Sequence, residues 1–529
     1  MDLKRVIGQA ADGHGHDHCC EACLAKYHPG GRPVDLVFLT RLAAAGVLLF
    51  GASALKAALP AVSVVLYVLS ALCAGCDVCV RLVGGLIKRR SVDEALSVVL
   101  CVIFLFAGKK PAAGAAVMLF YRVLMQARKA IFVKLGASES EEAVLPMWET
   151  ILCTALPVTT SVVVLVRGIV SHMSIALLFE HMAAGCLAVS PCAWVLTCSM
   201  AICVGVSSAV RHDILLSDRT VLRRIANVKS LVIDKTGVLD SGHFCVIGAE
   251  SDRLGEEVLL RIAAHASALS QKSYAEAIRS AYRGKIYIDL IQSFQEEDAG
   301  ITVLVDGVPI LLGLAEYLQR QGADPGEAMS DDPSMYLAIN GEYAGRILFG
   351  DSPKPEAVTT VRELQRRGLS LVMFTDCSMP VSRAFADEIG LSAYYARPIS
   401  KSALLRDLRS KGSHGRVAFV TRAGHNADCV SDADVAVVCG GEDNSHADVT
   451  LPGGDIYKLA TLVMLAQRVR AAIGADIALS ALSGVWLFWI LLVGSASVWL
   501  FVVVWMSLCL LCTVISTGAV GLPHTGSEK

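Results

Sequence analysis

Charged side chains are scarce in this sequence. Only 18% of its 529 residues are Asp, Glu, Lys or Arg, against about 25% in soluble globular domains. That shortage excludes an ordinary cytosolic enzyme and a disordered scaffold, both of which need polar surface to stay in water. No excess of one sign exists either. The 47 basic and 49 acidic residues leave a net charge of −2, so nothing favours nucleic acid as a partner. A disulfide framework is also missing: the 18 cysteines are scattered, many inside apolar runs, which suits reduced thiols. The first dozen residues are polar and lack the apolar stretch of a cleavable signal peptide. What is abundant is apolar. With 54% hydrophobic residues and a mean hydropathy of +0.55, the chain reads as a polytopic membrane protein with a soluble insert.

A helix needs about 20 apolar residues to cross a bilayer core, because an unpaired backbone group in lipid costs several kcal/mol. Suitable stretches lie at 35–58, 60–87, 93–107, 111–127, 147–167, 174–208, 475–493 and 495–517, which predicts about eight helices. Lys88-Arg89-Arg90, Arg122, Arg128, Lys129, Lys134, Arg211, Arg219, Arg223 and Arg224 mark cytoplasmic ends by the positive-inside rule. Lys109-Lys110, in a short turn, runs against it. Eight crossings put both termini and the 210–470 region in the cytoplasm, around a multi-pass span of the cell membrane.

Residues 210–470 read as an α/β insert. Short β-branched runs (Ser230–Ile233, Leu369–Phe374, Val417–Thr421, Asp434–Val438) alternate with amphipathic stretches (Pro355–Arg367, Lys401–Lys411), which predicts βαβ units and a parallel sheet. Residues 243–345 differ. A polar helix over Glu256–Tyr282 precedes strand-like Ile301–Val305 and Pro309–Leu312 around an Asp306-Gly307 turn, so this piece reads as an inserted lobe.

The sharpest local signal is Val232-Ile233-Asp234-Lys235-Thr236-Gly237, an apolar strand ending in a carboxylate, an ammonium, a hydroxyl and a glycine. A carboxylate at the carboxyl end of a parallel strand sits where open α/β sheets bind ligands. It can attack a phosphoryl group while the following backbone N–H groups cradle the oxygens. Asp-Lys alone more often merely closes a strand and caps a turn. The whole run, placed after a membrane helix, resembles the phosphorylation motif of P-type ATPases, with Val238 where that family continues with threonine. Ser190-Pro191-Cys192 in the preceding helix resembles the metal-binding motif of the heavy-metal branch. Ser91–Leu96 and Ala115–Tyr121 resemble its first core helices, Pro398-Ile399-Ser400-Lys401 its lysine motif, and Asp432–Val437 the strand after its hinge.

That resemblance spans most of residues 35–515 and implies a fold, a chemistry and a set of ligands. The implied fold is an α-helical membrane part carrying a cytoplasmic HAD-like phosphorylation domain, at 211–242 and 346–470, with an inserted α+β nucleotide-binding lobe at 243–345. Helices one to four would occupy 35–128, five and six 147–210, and seven and eight 471–517, between tails at 1–34 and 518–529. Asp234 would accept the γ-phosphoryl group of ATP, Lys235 and Lys401 would steady it, and Thr236 would offer a carbonyl or hydroxyl beside Gly237. Ser190, Pro191 and Cys192 would hold a transition-metal ion such as Zn2+, Cd2+ or Co2+. Physics supports this independently: proline opens a helix at a cost of about 3 kcal/mol unless something uses the gap, and a thiolate suits such ions. The bland alternative is a kinked helix packed with small residues.

Several family features are altered. Only 129–146 lies where a domain of roughly a hundred residues with a Thr-Gly-Glu loop is expected, and no Thr-Gly-Glu occurs there. The magnesium hinge, Gly-Asp-Gly-x-Asn-Asp in the family, reads Thr421-Arg422-Ala423-Gly424-His425-Asn426, so both Mg2+ carboxylates are replaced, by Arg422 and Asn426. Arg422 then becomes a candidate tethered cation in place of Mg2+. Thr375-Asp376-Cys377 stands for Thr-Gly-Asp, Lys272-Ser273 for the lobe's His-Pro, and Gly300 alone for Gly-x-Gly. In the last two helices the polar ligands reduce to Asp476, with serines and cysteines beyond.

The amino-terminal tail holds His14, His16, His18, Cys19, Cys20 and Cys23, a tract that binds zinc-like or copper-like ions without a prior fold, although its spacing fits no single tetrahedral finger. Cys73, Cys76 and Cys79 read as small packing residues, and Glu180-His181 either lines an exit path or is an interfacial pair with no function. Two functions remain open: an ATP-driven metal pump with impaired turnover, or a pseudo-enzyme that binds metal and assists a complete pump or a metal chaperone. A decaying gene product is a third possibility. Lipid and a metal ion are the partners in either of the first two.

Overall fold

The computed structural model describes residues 36–87, 94–134, 147–326, 333–411, 416–441, 447–494 and 497–518. They form two compact units, Met1–Ala226 with Met464–Lys529, and Asn227–Val463. The first opens with helices α1 (Leu36–Leu55), α2 (Pro60–Ile87), α3 (Ala95–Ala107), α4 (Pro111–Lys134) and α5 (Met147–Val170). The expected 174–208 span is instead two helices, α6 (Ile175–Ala188) and α7 (Cys192–Arg211). The break is chemical. Pro191 has no N–H to continue the ladder, so α6 ends at Val189 and Pro191 caps α7. A two-residue strand β1 (Leu215–Leu216) and a short helix α8 (Thr220–Ile225) then lead out of this unit.

In the second unit, β2 (Val228–Asp234) enters the middle of a parallel sheet. A lobe follows: β3 (Asp240–Glu250), α9 (Glu256–Ala266), α10 (Ser273–Ala281), β4 (Ile291–Glu297), β5 (Gly300–Val305), β6 (Val308–Gly313), α11 (Ala315–Arg320), β7 (Ser334–Ile339) and β8 (Glu342–Pro353). Its six antiparallel strands run β3-β8-β7-β6-β5-β4, so the sheet covers a few more residues at each side than 243–345. The single polar helix expected over Glu256–Tyr282 is α9 and α10, separated where Ser267, Ser270 and Lys272 turn their polar atoms to the backbone. Asp306 and Gly307 both have positive φ (48° and 76°), the two-residue hairpin that Asp-Gly favours.

The chain returns through α12 (Pro355–Arg366), β9 (Ser370–Thr375), α13 (Met379–Ile389), β10 (Tyr394–Ala396), α14 (Lys401–Lys411), β11 (Arg416–Arg422), α15 (Ala427–Asp432), β12 (Val435–Cys439) and β13 (Val449–Leu451). The parallel strands of this unit lie in the order β13-β12-β11-β2-β9-β10. Val232, Val372, Phe374, Leu405, Val417 and Phe419 bury a common core against them, as near-continuous apolar strands covered by helices require. β2 lies between β9 and β11, so the carboxyl ends of these three strands stand side by side, the edge at which open α/β sheets bind ligands.

Two helices complete the chain, α16 (Tyr457–Val493), which belongs to the first unit from Met464 onward, and α17 (Val498–Gly518). Among the described residues six helical segments are long and apolar enough to cross a membrane, 37–55, 60–84, 151–170, 175–211, 457–493 and 498–518. The expected eight are therefore matched only approximately: α3 is a short apolar helix of 13 residues, and α4 runs to Lys134, past the 127 expected, on a more polar sequence. The rest of the 129–146 linker, the His/Cys tail and Ser91-Val92-Asp93 lie outside the described residues.

Candidate active site around Asp234 and a candidate membrane metal site

Asp234 ends β2 and is 1% exposed. Two neighbouring strands and one helix bring residues to it: Thr375 closes β9, Thr421 and Arg422 close β11, and Lys401 opens α14. Lys401 Nζ donates to Asp234 Oδ1 at 3.2 Å and to Asp376 Oδ2 at 2.8 Å, clamping two carboxylates with one ammonium. Asn426 Nδ2 donates to Asp234 Oδ2 at 2.7 Å, and Thr421 Oγ1 reaches the same oxygen at 3.5 Å. Asn426 takes the left-handed conformation (φ 52°, ψ 45°) as it starts α15, which asparagine tolerates better than most residues. Thr375 is fully buried and accepts the Cys377 N–H at 3.2 Å, which fixes the turn carrying Asp376.

Burial raises the Asp234 carboxyl above the usual carboxylate range, and the Lys401 charge opposes it. For Lys401, burial acts downward, but the hydrogen bond and charge of Asp376 and the charge of Asp234 outweigh it, so its ammonium is held more firmly than usual. The site is thus a buried carboxylate kept next to a fixed cation.

Other expected residues are placed differently. Lys235 is 2% exposed and makes no bond with Asp234. Its Nζ pairs with Asp351 at 3.6 Å, reaches Cys377 Sγ at 3.7 Å and lies 4.9 Å from the Phe385 ring centroid. The Thr236 side chain is exposed. Gly237 has φ +74°, and a Cβ there would fall 2.4 Å from Arg422 Cδ, so the arginine stem lies across the glycine. Arg422 forms no hydrogen bond or ion pair with Asp234. Three residues passed over in the sequence organise this loop. Asp240 Oδ1 accepts the Gly237 N–H at 2.6 Å; Asp351 pairs Lys235; Lys354 Nζ donates to the Gly237, Val238 and Gly454 carbonyls at 3.3, 3.0 and 3.3 Å. Asp351 comes soon after the apolar run Ile347-Leu348-Phe349, as Asp234 comes after Leu231-Val232-Ile233, so a similar signal was present there.

Magnesium needs an octahedron of oxygens around it. Here both oxygens of Asp234 already accept N–H groups, the second carboxylate nearby is held by the same lysine, and Arg422 and Asn426 supply a cation and an amide donor. These residues do not fit Mg2+. The positive charge beside Asp234 is that of Lys401.

Gly300, the residue expected to serve a nucleotide, is buried against Tyr317: a Cβ would lie 2.3 Å from that ring. Gly300→Ala is therefore expected to lower the melting temperature by the few degrees that about 1–3 kcal/mol of overpacking represents. Differential scanning calorimetry with no nucleotide checks this; an unchanged transition would mean that packing is not why glycine stands there.

In the membrane unit, Cys192 is fully buried at the first turn of α7, and its Sγ donates to the Glu94 carbonyl at 3.5 Å. Ser190 Oγ is buried beside it, and Glu94, Cys509 and Cys153 stand within electrostatic reach. Opposite the break, Gly484 on α16 comes so near that a Cβ would lie 2.9 Å from the Ala188 carbonyl. Among the described residues no group of three or more His, Cys, Asp or Glu side chains is gathered closely enough to hold a metal by itself. His14, His16, His18, Cys19, Cys20 and Cys23 lie outside the described residues.

Comparison with known proteins agrees with this geometry. Residues 228–420 match the haloacid dehalogenase-like hydrolase family. A zinc-transporting ATPase of Synechocystis sp. is 30% identical over 299 residues, which take in 55% of this chain and 42% of that protein. A cadmium, zinc and cobalt-transporting ATPase of Bacillus subtilis is 28% identical over 297 residues, 54% of this chain and 42% of the relative. The chain thus spans less than half the length of these curated relatives. The crystal structure of a zinc-transporting PIB-type ATPase in its E2.Pi state has the same fold, with a TM-score of 0.57 at 17% identity over 92% of this chain and all of that one. Over just more than half its length the chain is thus similar to heavy-metal-transporting ATPases, it carries a haloacid dehalogenase-like domain at 228–420, and it has several helices long and apolar enough to cross a membrane.

Proposed function

We propose that this protein binds a transition-metal ion such as Zn2+, Cd2+ or Co2+ at Ser190-Pro191-Cys192 and accepts a phosphoryl group from ATP at Asp234, with turnover impaired. The carrying observation is the buried Asp234 carboxylate, aimed out of the central strand and held between Lys401 and Asn426. In the reaction a carboxylate oxygen bonds to the γ-phosphorus, the β–γ bridging bond breaks, and ADP leaves with the electron pair. Lys401 neutralises charge on the incoming oxygens, and Thr375 holds the Asp376 turn that braces it. The aspartyl phosphate would be long-lived, because no Thr-Gly-Glu occurs in the short 129–146 segment to direct water onto it. A lysine replacing part of a divalent ion's work makes the transfer itself slow.

The test is incubation of the purified full chain with radiolabelled ATP and Zn2+, Cd2+ or Co2+, followed by acid quenching. An acid-stable, hydroxylamine-sensitive label that decays slowly after a chase of cold ATP is the expected result. The donor set around Asp234, poor in carboxylates, also supports a second reading: a pseudo-ATPase that binds metal and serves a complete pump or metal chaperone as a partner. Metal binding with no label under any condition would select that reading.

A further inference from the structure

Among the described residues, the side chains bonded to Asp234 are all donors: the Lys401 ammonium, the Asn426 amide and the Thr421 hydroxyl. The other carboxylate at this edge, Asp376, is held by the same lysine. A divalent ion would have to displace Lys401 from both carboxylates, and no third His, Cys, Asp or Glu side chain is gathered with them to hold it. The loop after Asp234 is also committed. Its Gly237 N–H, which could have met a phosphoryl oxygen, donates to Asp240 Oδ1 at 2.6 Å.

Two arginines stand at the same edge. Arg422 closes β11 one residue after Thr421, and its stem lies across Gly237, three residues past Asp234. Its side chain is exposed, and the two nearby carboxylates are paired with Lys401 instead, so its guanidinium is left for a ligand. Arg397 takes a positive φ (43°), uncommon outside glycine. Its backbone N–H donates to the Thr375 carbonyl at 2.8 Å and its Nε to the Asp376 carbonyl at 3.1 Å, which fixes a further positive charge on the turn carrying Asp376. A guanidinium can meet a phosphate with two parallel N–H bonds, which suits it to an oxyanion. Lys401 and Arg422 together carry the charge of one divalent ion, tethered to the protein.

We propose that the Asp234 site takes its phosphoryl donor as a magnesium-free anion, with Lys401 and Arg422 holding the terminal phosphate and Arg397 steering it in over the Asp376 turn. A donor that arrives with Mg2+ bound brings like charge toward three cations and is the poorer substrate. The inference rests on the reading of Asp234 as the phosphoryl acceptor. The transfer needs no further reactant: a carboxylate oxygen bonds to the γ-phosphorus, and the β–γ bridging bond gives its electron pair to the departing ADP.

Radiolabelled ATP tests it on the full chain in detergent, loaded with Zn2+ and desalted over a chelating resin. One arm adds no further divalent ion, and the other adds Mg2+ in excess over ATP. The acid-stable label is expected to form without Mg2+, and excess Mg2+ is expected to slow it about threefold or more. Arg422→Ala is expected to lose about tenfold or more of the magnesium-free rate, and Arg422→Lys to recover most of it, as a charge role requires. Arg422→Asp combined with Asn426→Asp exchanges a cation and an amide for two carboxylates, and is expected to reverse the dependence, so that label forms only with Mg2+. Should that double variant not fold, the single Arg422 variants decide. Wild-type label that requires Mg2+ overturns the inference and leaves Asp234 as the acceptor. An unchanged magnesium-free rate in Arg422→Ala overturns it as well. No label in either arm sinks the underlying reading and this inference with it.

Discussion

Asp234→Asn is expected to leave no acid-stable label at all, at least a thousandfold below the wild-type chain after incubation with ATP. The amide has the carboxylate's shape but no nucleophilic oxygen, so the acyl phosphate has nowhere to form. The same substitution is expected not to lower the melting temperature. Burial holds the Asp234 carboxyl above its ordinary range, so the folded state binds its proton more tightly than the unfolded chain. Its contribution to stability is therefore greatest below the ordinary carboxylate pKa and is lost as pH rises through the folded value. At neutral pH, removing that charge relieves the fold, and Lys401 keeps Asp376 as its partner. Loss of label with an unchanged melt would identify the acceptor. Retained label would place it elsewhere.

Lys401→Ala is expected to do both kinds of damage. It leaves Asp234, 1% exposed, without its cation and frees Asp376 to repel it. Breaking a buried pair from one side costs about 3–5 kcal/mol, because a desolvated charge stays behind. Label formation is expected to fall by about 100- to 1,000-fold, the cost of removing one preorganised stabilising group. The pH dependence discriminates further. With the ammonium gone, the Asp234 carboxyl is raised more, so the stability gap to wild type is widest at neutral pH and closes as pH falls toward the ordinary carboxylate pKa near 4. Thermal melts from pH 4 to 8 read this directly. The double variant Asp234→Asn, Lys401→Ala is expected to recover most of the lost stability, since the uncompensated charge is then absent. A Lys401→Ala chain as stable as wild type at pH 7 would mean that the pair carries no net stabilisation.

Much of this was legible beforehand, for definable reasons. The βαβ alternation showed because parallel strands covered on both faces are apolar throughout, and all four expected strands and both expected helices of the α/β unit occur within a few residues of their places. The motif residue Asp234 and the remote Lys401 were found by type and order, and they meet. Lys235 shows the limit. Adjacent to Asp234 in sequence, it points to Asp351 and Phe385 instead, because successive side chains at a strand end diverge. Gly300 was legible as a glycine that matters, but the reason found is the Tyr317 ring.

By itself the sequence determined that this is a membrane protein with an α/β insert, where the strands fall, that Pro191 opens a membrane helix, and which aspartate ends an apolar strand. Those properties follow from local chemistry: hydropathy, periodicity and a missing N–H. Only the tertiary structure decided which side chains share a carboxylate. Lys401 lies 167 positions from Asp234 and Asn426 192, and strand order alone brings them within 3.2 and 2.7 Å. It also decided that Asp476 and Ser516, 40 positions apart, face each other inside the bundle. No spacing rule reaches across such distances, since they are closed by packing and not by the period of any one helix or strand.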